Sequence, residues 1–207
     1  MIEAILAFTA AAAILTVTPG LDTALVLRTA VGSGARPALF AVVGIALGCF
    51  LWGIIVAVGL GALLAASALA FAILKYAGAA YLLWLGLHLM LKPRQSFAPG
   101  QAKEEKGAGA GQALRRGLLT NLLNPKVGLF YMTFLPQFVP AGADVTSFSL
   151  LLALIHALLG LIWLALLAAA TVPMSRVLQR PAVVRTTDRL TGAVFVAFGL
   201  KLALSRD

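Results

Sequence analysis

Charged side chains are scarce in this sequence. They make up 11% of 207 residues, where soluble domains carry roughly 25%. Acids are scarcer still, with seven Asp and Glu against sixteen Lys and Arg. The chain is also 61% hydrophobic, with a mean hydropathy of +1.00. A water-soluble core cannot enclose that much apolar sequence, so the composition implies an integral, all-α membrane protein. Cysteine is nearly absent. Cys49 stands alone in an apolar run, so no internal disulfide can form, and it reads as a small packing residue. The two histidines, His88 and His156, are single residues in apolar segments. No cluster of His, Cys, Asp and Glu has metal-ligand spacing, so no metal and no cofactor is expected. The histidines read as packing groups or satisfied hydrogen-bond partners. The first charge is Glu3, where a signal peptide would carry a basic region. The N-terminal stretch is therefore expected to remain as a membrane segment.

What is present is a series of long apolar runs. A spanning helix needs about 20 such residues, and charges and turn residues divide the chain into six segments. These run from about Ala4 to Leu27, Ala38 to Ala66, Leu69 to Leu91, Leu114 to Val139, Phe148 to Val172 and Leu190 to Leu204. Residues 1–91 would form a first three-helix unit and residues 114–207 a second, joined by a polar linker, 92–113, rich in charge, Gly and Pro. The linker's "GAGAG" has no preceding strand and carries no dinucleotide-binding reading.

The net charge of +9 is explained by where the cations fall. Arg28 and Arg36 flank the first connection. Lys92, Arg94, Lys103, Lys106, Arg115 and Arg116 flank the third, and Arg176, Arg180, Arg185 and Arg189 the fifth. The opposite side has Lys75, Lys201 and Arg206, and the fourth connection offers only Asp144. Loop Lys and Arg set orientation, so the three basic connections are expected in the cytoplasm and both termini outside. The basic balance therefore points to a bilayer and not to nucleic acid.

The two halves are alike. "GLHLML" (Gly86 to Leu91) is echoed by "GLKLAL" (Gly199 to Leu204), and Gly78 with Tyr81 by Gly192 with Phe195. Pro19 interrupts segment one and Pro125 interrupts segment four. Three spans per half is an odd number, so the halves must be inverted. Inverted repeats with matching broken helices point to a transporter's binding site.

Each break carries polar groups. Proline removes a backbone hydrogen bond and clashes with the preceding turn. The freed carbonyls are tolerated only inside protein or beside a wet cavity. The first break holds Thr18, Pro19, Gly20 and Asp22. A carboxylate at mid-membrane costs about 2.5–3.5 kcal/mol. Asp22 lies roughly 9 Å of helical rise before Arg28, so its cost is smaller. It has two readings: a site for a substrate amine or a proton, or a cap on the restarted helix, where negative charge is favoured. The second break holds Asn121, Asn124, Pro125 and Lys126. Lys126 either serves function or snorkels to the surface. If the halves pack face to face, Asp22 would meet a substrate ammonium and Lys126 its carboxylate, or the two side chains would pair. Gly44 and Gly48 form a small-xxx-small pair suited to helix packing. Trp52, Trp84 and Trp163 suit interfacial anchors or core.

The stretches "TPGLDTALVLRTAVGSGARPALFAVVGIALG" and "NPKVGLFYMTFLPQFV" resemble the two signature regions of the LysE/RhtB amino-acid exporter family. The resemblance covers the whole length, including the basic linker and the glycine pair in span two. It departs at Leu21, where the family commonly has a second proline. It implies an inner-membrane secondary transporter that exports amino acids or their derivatives by alternating access. The implied energy source is the proton gradient or the membrane potential. It carries over to Asp22, Asn124, Pro125 and Lys126. The expected partners are a zwitterionic amino acid, protons or another coupling ion, and the lipid bilayer; a homodimer is the assembly considered. A metal-cation exporter of related fold is the alternative, opposed by the missing ligand cluster. An intramembrane enzyme acting on a lipid headgroup would need paired carboxylates or a nucleophile, and the expected spans supply only Asp22.

Overall fold

The computed structural model describes residues 1–66, 68–94, 109–170 and 180–204, which are helical with short connections and no strand. The helices are α1 (Ile2–Val17), α2 (Leu21–Ser33), α3 (Ala35–Ala66), α4 (Ala68–Leu91), α5 (Ala110–Leu122), α6 (Pro125–Leu129), α7 (Val145–Ala169) and α8 (Pro181–Leu204). Between α6 and α7 lie a π-helical turn, Phe130–Phe134, and a 3-10 turn, Leu135–Phe138. Most of the expected linker, with Lys103 and Lys106, lies outside the described residues, as do Arg176 and Arg206.

Local chemistry sets the breaks. Thr18, the residue before Pro19, is extended (φ −69°, ψ 116°), as the proline ring requires. Helix α1 therefore stops, and α2 restarts after Gly20 at a bend of 49°. At the second break, Pro125 takes the first helical position, where a missing N–H costs nothing. Asn124 caps α6 by accepting the Lys126 N–H at 3.1 Å. The prolines thus mark helix starts and not kinks in continuous helices. The connection between α2 and α3 is a single residue, Gly34, at φ 94°, a backbone conformation that glycine adopts without steric cost.

Several expected boundaries move. Arg28 lies in α2, Arg36 in α3, and Arg115 and Arg116 in α5. Helix α8 begins at Pro181 and not near Leu190, so Arg185, Asp188 and Arg189 are helical. Polar residues had placed this turn in a loop; packing on the rest of the fold makes it helix.

Among the described residues, two helices are long and apolar enough to cross a membrane, at Ala35–Gly59 and Val145–Ala169, and the bent pair α1–α2 adds a third if it is one span. Their outward faces are apolar. Leu39, Val43, Leu47 and Leu51 on α3 are exposed, as are Leu151, Leu154, Leu158, Ile162 and Leu166 on α7. Water would not tolerate such continuous stripes, whereas lipid is their natural solvent.

Helix α3 packs on α5 and α7, and α4 packs on α8. Small residues permit these approaches. Ala113, Gly117 and Asn121 are the buried stripe of α5, at the four-residue spacing of one helix face. A Cβ on Gly44 would collide with the Leu114 carbonyl, and one on Gly117 with the Ala41 carbonyl. A Cβ on Gly48 would lie 2.6 Å from Asn121 Oδ1. Gly86 and Gly192 face each other across α4 and α8, each within 2.7 Å of the other's carbonyl if given a Cβ. An aromatic core is built on Phe8, Phe130, Phe134 and Phe138. A second, aliphatic core joins α2, α3, α7 and α8 through Val26, Leu27, Ile45, Leu167 and Val184.

Candidate functional site

The two breaks meet. Helix α1 ends with unsatisfied carbonyls, and the short helix α6 begins opposite them. The Lys126 ammonium donates to the carbonyls of Leu15 and Thr18, both at 3.0 Å. A cation there completes the end of α1 and complements its dipole. The lysine is held inside the protein by the end of α1, not drawn toward the surface.

Asp22 sits in the first turn of α2. Asn121 Nδ2 donates to its Oδ2 at 2.9 Å and lies 3.4 Å from Cys49 Sγ. The other oxygen, Oδ1, is buried with no hydrogen-bond partner, as are Thr16 Oγ1 and Asn121 Oδ1. Buried polar atoms are normally paired, so this is a place where a donor from a ligand, a water or a proton has a role. Asp22 and Lys126 share this place, but the ammonium is bonded to carbonyls and not to the carboxylate. Asn124 is buried beside them, its Oδ1 accepting the Lys126 N–H in the α6 cap.

Cavities lie on both sides of the breaks. A small one, about 50 Å³, is lined by Asp22, Thr16 and His156. A large one, about 560 Å³, is lined by Leu21, Arg94, Asp188 and Phe195. Thr18, Gly20, Asn124 and Lys126 line both. These four residues are therefore the partition between the two.

Three residues that sequence reasoning did not single out complete the site. Arg94, just past α4, donates from its backbone N–H and Nε to Asp188 Oδ2, each at 3.0 Å, and from Nη2 to Oδ1 at 2.5 Å. Nη2 also donates to the Pro19 carbonyl at 3.0 Å. Asp188 is fully buried. One turn along α8, the Thr191 hydroxyl shares a 2.5 Å hydrogen bond with the Thr18 hydroxyl, which also reaches Ile14 O at 2.7 Å. Helix α8 thus grips the first break at two points. A signal was available: Asp188 is one of only seven acids, and with Thr191 it forms an i, i+3 polar face.

Of the remaining singled-out residues, His156 is buried, with Nδ1 3.1 Å from the Tyr131 hydroxyl. His88 stacks on Trp84 at 5.8 Å. Among the described residues, no three His, Cys, Asp or Glu are grouped to hold a metal ion.

The profile of a protein family described as LysE type translocator matches residues 13–206. A leucine efflux protein of Enterobacter sp. is 31% identical, the match covering 89% of this chain and 88% of that one. A threonine efflux protein of Escherichia coli K12 is 32% identical over 91% of both chains. A homoserine/homoserine lactone efflux protein of Salmonella typhimurium is 28% identical over 93% of this chain and 92% of its own. No solved structure matches.

Proposed function

Because the chain belongs to the LysE type translocator family, a family of transporters and not of enzymes, we propose that it exports amino acids across the cytoplasmic membrane by alternating access. The efflux activities named for its relatives support the substrate class. The observation that carries the reading is the partition: an acid, a base and two helix ends meet where one set of residues lines a cavity on either side. An amino-acid zwitterion presents one ammonium and one carboxylate. The carboxylate goes to Lys126, and the ammonium to the unpartnered oxygen of Asp22. The proton gradient or the membrane potential drives the cycle.

The architecture proposed is six spans in two inverted repeats, residues 1–91 and 114–207, with broken helices one and four. Support comes from contacts between the halves. Gly86 packs on Gly192, and Gly199 packs on Ala79. Exchanging the halves converts one contact into the other, because the offset that aligns Gly86 with Gly199 places Ala79, the residue after Gly78, opposite Gly192. The large cavity is lined by Arg28, Arg94 and Asp188, which lie at the ends carrying the basic connections. It therefore opens to the cytoplasm, with both termini outside.

The test is efflux from cells or vesicles loaded with labelled amino acids. Asp22→Asn and Lys126→Ala are expected to lower efflux at least about tenfold. Unchanged efflux in well-expressed variants would remove the site assignment, and no efflux of any amino acid by the unmodified protein would remove the function.

A further inference from the structure

We infer that the transported substrate is a neutral amino acid with an apolar side chain, of about leucine or methionine size, and that dibasic amino acids are rejected. This rests on the export reading and concerns the large cavity. Its volume, about 560 Å³, falls within the roughly 300–1,000 Å³ of small-molecule sites.

Its lining is divided. The polar end holds Thr18, Asn124 and Lys126, and the wall is apolar: Leu21, Leu85, Leu89 and Phe195. An ammonium has three N–H donors. Two of those on Lys126 are used by Leu15 O and Thr18 O. The third has no protein acceptor among the described residues and is left for the substrate carboxylate. With the carboxylate anchored there, the side chain extends along the leucines and Phe195.

Charge decides what that side chain can be. Among the described lining residues the one carboxylate is Asp188, and Arg94 and Lys126 stand beside it. Both Asp188 oxygens are already bonded to Arg94. A lysine or arginine side chain would lie beside two cations, Arg94 and Lys126, and among the described residues would meet no unengaged acid. With Lys126 taken by the substrate's own carboxylate and Arg94 by Asp188, an acidic or hydroxylated side chain extended along the leucines and Phe195 would leave its polar atoms unpaired. Leu21 is the position that departs from the family pattern. It is half-exposed and faces the cavity, so the departure adds apolar wall at the site.

The experiment is efflux from proteoliposomes of the full chain, each loaded with one labelled substrate: leucine, methionine, threonine, lysine or glutamate. Leucine and methionine are expected to leave at least about tenfold faster than the other three, the discrimination a single apolar pocket can reach. Threonine, lysine or glutamate leaving as fast as leucine would overturn the inference and leave export standing. Efflux of none of them would overturn export itself. Leu21→Asp adds a carboxylate to the wall at a half-exposed position that tolerates it. The ratio of lysine to leucine efflux is expected to rise at least about tenfold in this variant, and an unchanged ratio would overturn the assignment of the wall.

Discussion

Lys126 acts on two elements at once. It belongs to α6, but its ammonium completes the carbonyl end of α1. Lys126→Met keeps the length and loses the charge, so both carbonyls lose their donor. It is expected to abolish efflux and lower the melting temperature in detergent, whereas Lys126→Arg should keep the fold and change only transport. A second residue-scale prediction concerns Gly48. A Cβ there meets Asn121 Oδ1 at 2.6 Å, and that asparagine is buried and bonded to Asp22. Gly48→Ala should destabilise by about 1–3 kcal/mol and reduce efflux, because relief of the clash displaces the donor of Asp22. Thermal unfolding of the single variant and of Gly48→Ala with Asn121→Ser would show whether the second change restores stability. Sequence patterning identified Gly48, Asn121, Asp22 and Lys126 separately. That Asn121 links Gly48 to Asp22 depends on α3 and α5 touching, which no local pattern encodes.

At the scale of elements, the first break is held by its neighbours. Arg94 ties the Pro19 carbonyl to Asp188 of α8, and Thr191 repeats the tie one turn away. Removing one member of a buried pair leaves an unpaired charge. Arg94 is 42% exposed, which screens part of the effect, so Arg94→Ala or Asp188→Ala should cost about 2–3 kcal/mol. The double variant should be less destabilised than the sum of the singles, because no charge is left alone; a double-mutant cycle on thermal unfolding checks this. Asp144 illustrates a simpler terminus. It caps α7 by accepting the Ser147 N–H at 2.8 Å, and its hydrogen bonds from Ser147, side chain first and backbone second, hold its carboxyl below the usual carboxylate value. A lowered folded value means the cap contributes at neutral pH and is lost as pH falls through that value. Hydrogen exchange in the first turn of α7 should therefore quicken on acidification, and Asp144→Ala should remove the pH dependence.

At the scale of the whole molecule, loop charge sets which way the bundle sits. The basic connections predict a cytoplasmic face. In a Cys49→Ala background, single cysteines at the exposed positions Arg36, Arg185 and Ala141 report it. An impermeant thiol reagent added from outside is expected to label position 141 and not 36 or 185; labelling of 36 or 185 would reverse the orientation.

The sequence by itself determined the solvent and the family. A chain 61% hydrophobic and 11% charged cannot present a wholly water-exposed surface, and the "TPGLD" and "NPK" stretches mark the family and the two breaks, because proline acts through the bonds next to it. Local chemistry also specified the Asn124 cap and the start of α6. Only the tertiary structure decided what the breaks do for each other. Lys126 reaches carbonyls 108 and 111 residues away in the chain, and Asp188, which looks like a loop acid beside arginines, is fully buried against Arg94. Such partnerships are set by which helix faces pack together, and small residues such as Gly44, Gly86 and Gly192 permit that packing without naming their partners.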